Sequence, residues 1–94
     1  MPNPSSVVPT SHTADGLVST GRTLVHWVTH QAGATGGAWQ LNDSTDDSGT
    51  DLLPGTTAAS TGPATIHFDP PILFKLGLYA DIPGTNVTLT IGWS

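Results

Sequence analysis

Apolar residues recur at every second position along much of this chain, the spacing of a strand with one face buried. The pattern is clearest at the end, where Val87, Leu89, Ile91 and Trp93 alternate with Thr88, Thr90 and Gly92. Just before it, Ile72, Phe74, Leu76, Leu78 and Ala80 point one way, and Lys75, Gly77 and Tyr79 the other. This predicts a strand over 72–81. Pro83-Gly84-Thr85-Asn86 between the two runs is turn chemistry, so a C-terminal hairpin over about 72–93 is expected.

Upstream, Arg22 to His30 reads as a strand with Thr23, Val25, Trp27 and Thr29 on one face and Leu24, His26, Val28 and His30 on the other. Both faces are half apolar, which predicts cover on both sides and makes Val25, Trp27 and Val28 candidate contacts in an oligomer. A glycine-rich turn at 33–37 leads into a second strand, Ala38 to Asp43, with Trp39 and Leu41 on one face and Gln40 and Asn42 on the other. These two strands are expected to form a hairpin with Trp27 and Trp39 side by side. Leu52-Leu53 is a short apolar segment before Pro54-Gly55, and 56–62 is a loop of small residues. Ala64 to Phe68 can be a strand, stopped by Asp69-Pro70-Pro71. About five to seven short strands separated by turns, with no helical period, predict an all-β fold, a small antiparallel β-sandwich or a small barrel.

Residues 1–16 read differently. Pro2, Pro4 and Pro9 favour extended backbone and remove donors, so this stretch cannot be an interior strand. It is expected to be an extended N-terminal arm ahead of a sandwich domain at 17–94. Pro4, Val7, Val8 and Pro9 are its candidate partner-binding residues, with Val7-Val8 as the apolar anchor. The start, Met1-Pro2-Asn3-Pro4, lacks the basic region and apolar run of a secretory signal, so an unprocessed chain is expected.

Composition sharpens this picture. The 94 residues include 11 Gly, 8 Pro and 15 Thr but no Glu and only two cations, Arg22 and Lys75, against seven Asp. Helix formers are scarce and strand and turn formers abundant. A net charge of −5 leaves little for phosphate contacts, so neither nucleic acid nor an anionic membrane surface is an expected partner. No stretch approaches the roughly 20 apolar residues of a membrane-spanning helix. With no Cys to staple so small a core, self-association is the expected source of added stability.

Candidate chemistry is thin. Asp43, Asp46, Asp47 and Asp51 lie among small polar residues, as in cation-binding loops, but their spacing fails the EF-hand pattern and no closing Glu follows. A solvated loop is the better reading. His26 and His30, four apart on a strand, would be about 13 Å apart, too far for one metal ion. Ser, His and Asp occur without a nucleophile elbow or a phosphate loop, so neither an enzyme nor a cofactor is expected. The tryptophans are expected in the core of a thin sandwich rather than on a sugar-stacking platform.

The segment His67-Phe68-Asp69-Pro70-Pro71-Ile72-Leu73-Phe74-Lys75-Leu76-Gly77-Leu78-Tyr79-Ala80, followed by Thr88-Leu89-Thr90-Ile91-Gly92-Trp93, resembles the C-terminal part of small structural proteins of tailed bacteriophages. Trp39-Gln40-Leu41-Asn42-Asp43 ahead of a Ser/Thr/Gly loop is similar in character. The resemblance spans about residues 20–94. It implies a virion protein on the capsid surface, a decoration (cement) protein of β-sandwich or jelly-roll type that binds the major capsid protein and assembles as a homotrimer. A receptor- or glycan-binding module of a fibre or tail tip is the alternative.

Overall fold

The computed structural model describes residues 7–46, 50–60, 62–83 and 86–94. Among them are eight strands: β1 (Val8–His12), β2 (Gly16–Thr20), β3 (Thr23–Ala32), β4 (Gly37–Asp43), β5 (Thr50–Thr57), β6 (Ala64–Phe74), β7 (Gly77–Asp81) and β8 (Val87–Trp93). They form two four-stranded antiparallel sheets in the orders β1-β8-β3-β6 and β2-β7-β4-β5. The pairs β1–β8, β2–β7, β3–β6 and β4–β5 are nested, as if one long hairpin had been rolled into two layers. That is the jelly-roll arrangement of a β-sandwich. All connections cross between the sheets except β4 to β5.

The core lies between the layers. Val25, Val28, Phe74, Val87, Leu89 and Ile91 line it from the first sheet, and Trp39, Leu41, Leu78 and Ala80 from the second. Each large apolar side chain removed from water here contributes about 1.5–3 kcal/mol, and the alternation in β8 and β4 supplies these positions at every second residue.

The crossing connections correct both expected hairpins. β7 and β8 lie in opposite sheets, so Val87–Trp93 pairs with β1 and β3 rather than with 72–80. β3 and β4 are likewise in opposite sheets, so Trp27 and Trp39 are not neighbours on one surface. The run 72–81 is not one strand. It ends in β6 at Phe74, turns through Lys75-Leu76, and resumes as β7 in the other layer. Alternation carries on through the turn, which leaves Leu76 66% exposed while Phe74 and Leu78 are fully buried.

The expected arm is also corrected. Residues 8–12 are an edge strand whose register partners on β8 run from Val8↔Trp93 to His12↔Leu89. Residues 16–20 form β2 at the edge of the other sheet, paired with β7. The prolines do what they are expected to do, but at the sheet's border. Pro9 in β1, Pro54 in β5 and Pro70-Pro71 in β6 all sit in edge strands, where a missing N–H costs no ladder bond on the open side.

Candidate functional site

The sequence-predicted site residues are dispersed. Val25 and Val28 are fully buried between the sheets, which removes them as oligomer contacts. The reason is a bulge in β3: the register with both β6 and β8 shifts between Val25 and Trp27, so Val25 and Val28 both face inward although three apart. Trp27 falls on the opposite, outer face and is half-buried. Of the expected arm anchors, Pro4 lies outside the described residues. Val7 is half-buried, while Val8 (44% exposed) and Pro9 are exposed on β1.

The same bulge separates the paired histidines. His26 Nε2 meets the Ser94 hydroxyl at 2.8 Å, beside the C-terminus. His30 turns inward, where its Nδ1 lies 2.9 Å from the Thr57 hydroxyl and its ring 5.8 Å from that of Trp39. The Trp39 indole N–H donates to the same Thr57 oxygen at 3.2 Å. One buried hydroxyl on β5 thus joins β3 of the first sheet to β4 of the second. No sequence pattern marks this clasp, because it joins β3 of one sheet to β4 and β5 of the other, and spacing along the chain does not show which layer a strand enters.

In the acidic loop, Asp43 has a structural partner, its Oδ1 accepting the Leu76 N–H at 2.7 Å. Asp47 lies outside the described residues. Next to Asp43, Asn42 is wholly buried, and neither polar atom of its amide is paired among the described residues.

Two regions have the character of an interaction surface. The first is one pole of the sandwich. The Gly21 N–H donates to the Leu76 carbonyl at 3.0 Å, which holds the β2–β3 turn against the β6–β7 turn. Leu24 and Ser94 exchange backbone hydrogen bonds of 3.0 and 2.9 Å, so the C-terminus reaches the same end. Val8, opposite Trp93, brings the start of β1 there too. This pole therefore gathers both cations of the chain, Arg22 and Lys75, with the Asp43 carboxylate beside them and exposed Leu76 and Val8. The periodic pattern missed it because Leu76 reads as one more inward residue.

The second region is the outer surface of the first sheet, where rows of side chains cross all four strands. One row is Ser11, Thr90, Thr29 and Thr65, and the next is Pro9, Gly92, Trp27 and His67. Neither row contains Asp, Lys or Arg. No protein-family model matches this chain, and no curated protein or solved structure is significantly similar to it.

Proposed function

We propose that this chain is a virion structural protein without catalytic activity, a capsid decoration (cement) protein of a tailed bacteriophage. It would sit on the capsid surface and bind the major capsid protein of the assembled shell. The observation that supports this reading is the pole where Arg22, Lys75, Leu76 and Val8 come together. Both cations of the chain lie at this end, beside the Asp43 carboxylate that accepts the Leu76 N–H. Exposed Arg22 and Lys75 would pair with acidic groups on the shell surface and so help to fix the register of the contact. Leu76 and Val8 then supply the apolar contact, each contributing about 1.5 kcal/mol or more if fully buried. The sandwich behind them is a rigid β body.

Assembly as a homotrimer belongs to the same proposal and rests on the resemblance to phage cement proteins. Several copies held together would multiply a modest contact through effective concentration. Trp27 is the one expected oligomer contact that still lies at the surface.

The experiment is cosedimentation with undecorated capsids of the particle that carries the protein. The full chain should pellet with the shells, and the double variant Arg22→Glu with Lys75→Glu should remain in the supernatant at moderate salt. A wild-type chain that stays in the supernatant at saturating shell concentration would overturn the proposal.

A further inference from the structure

The outer face of the β1-β8-β3-β6 sheet has the character of a ligand platform. Four hydroxyl side chains line up across it, bonded in pairs, with Ser11 to Thr90 at 2.8 Å and Thr29 to Thr65 at 2.7 Å. Within each pair one O–H is donated to the other oxygen, so a second O–H and several lone pairs are left to face outward. The row is roughly 14 Å long at the usual strand spacing.

Trp27 lies alongside this row. Its indole rests on its register partner Gly92: a Cβ built at residue 92 would sit 2.2 Å from Cε2, 2.3 Å from Nε1 and 2.7 Å from Cδ2. Similar distances to three ring atoms mean that the ring lies with one face on the strand backbone. The other face is turned away from the sheet. Only glycine at 92 permits this, and covering a strand glycine with an aromatic ring also shields its backbone. Pro9 and His67 flank the pair in the same row.

We propose that this face binds a neutral carbohydrate chain, with one pyranose ring stacked on the outer face of Trp27. The Thr90, Thr29 and Ser11 hydroxyls exchange hydrogen bonds with the hydroxyls of the sugar. The chemistry of the face selects this ligand. A flat aromatic suits the C–H face of a sugar, and hydroxyls that both donate and accept suit its edge. Neither row contains Asp, Lys or Arg to recruit a charged ligand, and the net charge of −5 disfavours an anionic one. This assignment is independent of capsid binding, which uses the pole.

The test is calorimetry and saturation-transfer NMR on the intact protein with cellohexaose, chitohexaose, maltohexaose and mannohexaose, and with an oligogalacturonate as the anionic control. At least one neutral oligosaccharide should bind, with a shift in tryptophan emission, and the anionic one should not. Trp27→Ala should weaken binding about five- to tenfold, the loss of one stacked ring. Thr90→Val, which keeps the shape of the side chain and removes its hydroxyl, should weaken binding in a protein that melts normally. Trp27→Tyr, which keeps a ring over Gly92, should retain most of it. Failure of all four neutral oligosaccharides to bind overturns the proposal, as does binding that Trp27→Ala and Thr90→Val leave unchanged. If none binds and Trp27→Ala instead lowers the mass seen by light scattering, the face is a contact between copies of this chain.

Discussion

Trp39 and Gly55 are register partners on β4 and β5, and the indole fills the space that a side chain at 55 would need. A Cβ there would sit 2.2 Å from Cζ2 and 2.3 Å from Cε2. Trp39 cannot move aside, since it is 2% exposed and bonded through Nε1 to Thr57. Gly55→Ala should therefore cost on the order of 1–3 kcal/mol by overpacking. Thermal melts should show a fall of roughly 4–8 °C per kcal/mol for a domain of this size. Gly92→Ala has the same close contact with Trp27, but that ring lies at the surface and can lift, so it should cost less. Equal melting temperatures for Gly55→Ala and the wild type would show that the Trp39 ring is not pinned.

Leu76 and Leu78 occupy the same phase of one alternating run, yet the turn at 75–76 gives them opposite fates. Leu78 is fully buried and Leu76 is 66% exposed. Leu78→Asp places an unpaired charge between the sheets and should leave little folded protein, given a total stability of about 5–15 kcal/mol. Leu76→Asp should stay within about 0.5 kcal/mol of wild type, as surface changes do. Urea titration of the two variants checks the pair, and a severe loss at Leu76 would place it in the core.

This contrast shows what was legible in the sequence. The period-2 signal in Val87–Trp93 and Ala38–Asp43 gave the strands and their inward residues, because alternation depends only on local geometry. The partners of each strand were not legible. A turn such as Pro83–Asn86 serves a hairpin or a crossing between layers equally well, and the choice is made by packing across the whole sandwich. Trp27 lost its expected neighbour Trp39 in this way. The bulge between Val25 and Trp27 is also hidden, because the extra residue of β3 shows only against β8, and on the other side it is β6 that carries the additional residues. The prolines mark the borders of the sheets. Pro9 suggests an extended arm, and Pro54 and Pro70-Pro71 suggest the ends of short segments, yet each lies within an edge strand. On the surface, neither the polar pole nor the hydroxyl row follows from spacing, since both join residues far apart in the chain.

His12 couples the fold to pH. It lies on β1 opposite Leu89, with Nε2 buried and unpaired among the described residues, and its ring close against Gly16. Burial disfavours the imidazolium and lowers the pKa from the ordinary 6.5. The unfolded chain thus takes up a proton at a higher pH than the folded one. The contribution of His12 to stability is intact above about pH 6.5 and is lost progressively as the pH falls through that value. Melting temperature should drop between about pH 7.5 and 5, and His12→Gln should flatten that slope. An unchanged slope in the variant would assign the acid sensitivity to other groups.

The strand β1 decides how the N-terminal segment behaves. An arm would be dispensable to the fold, so deleting residues 2–15 would leave the melting temperature unchanged. The pairing with β8 argues otherwise. Five register pairs, Val8↔Trp93 through His12↔Leu89, close that edge of the first sheet. The Thr10 hydroxyl accepts the Trp93 indole N–H at 3.0 Å, and the Asp15 carboxylate accepts the Ile82 backbone N–H at 2.7 Å. Removing these residues opens the β8 ladder to water and uncovers part of Trp93, with a loss of about 1 kcal/mol for each side-chain hydrogen bond and more for the apolar surface. The exposed β8 edge would also offer a template for pairing with another chain, so the truncated protein should aggregate on warming. A melting temperature lowered by ten degrees or more, roughly the 2 kcal/mol of those losses, is the expected result. A truncated protein that melts like the full chain would mean that β1 adds nothing to the sandwich and that residues 1–16 act as an arm after all.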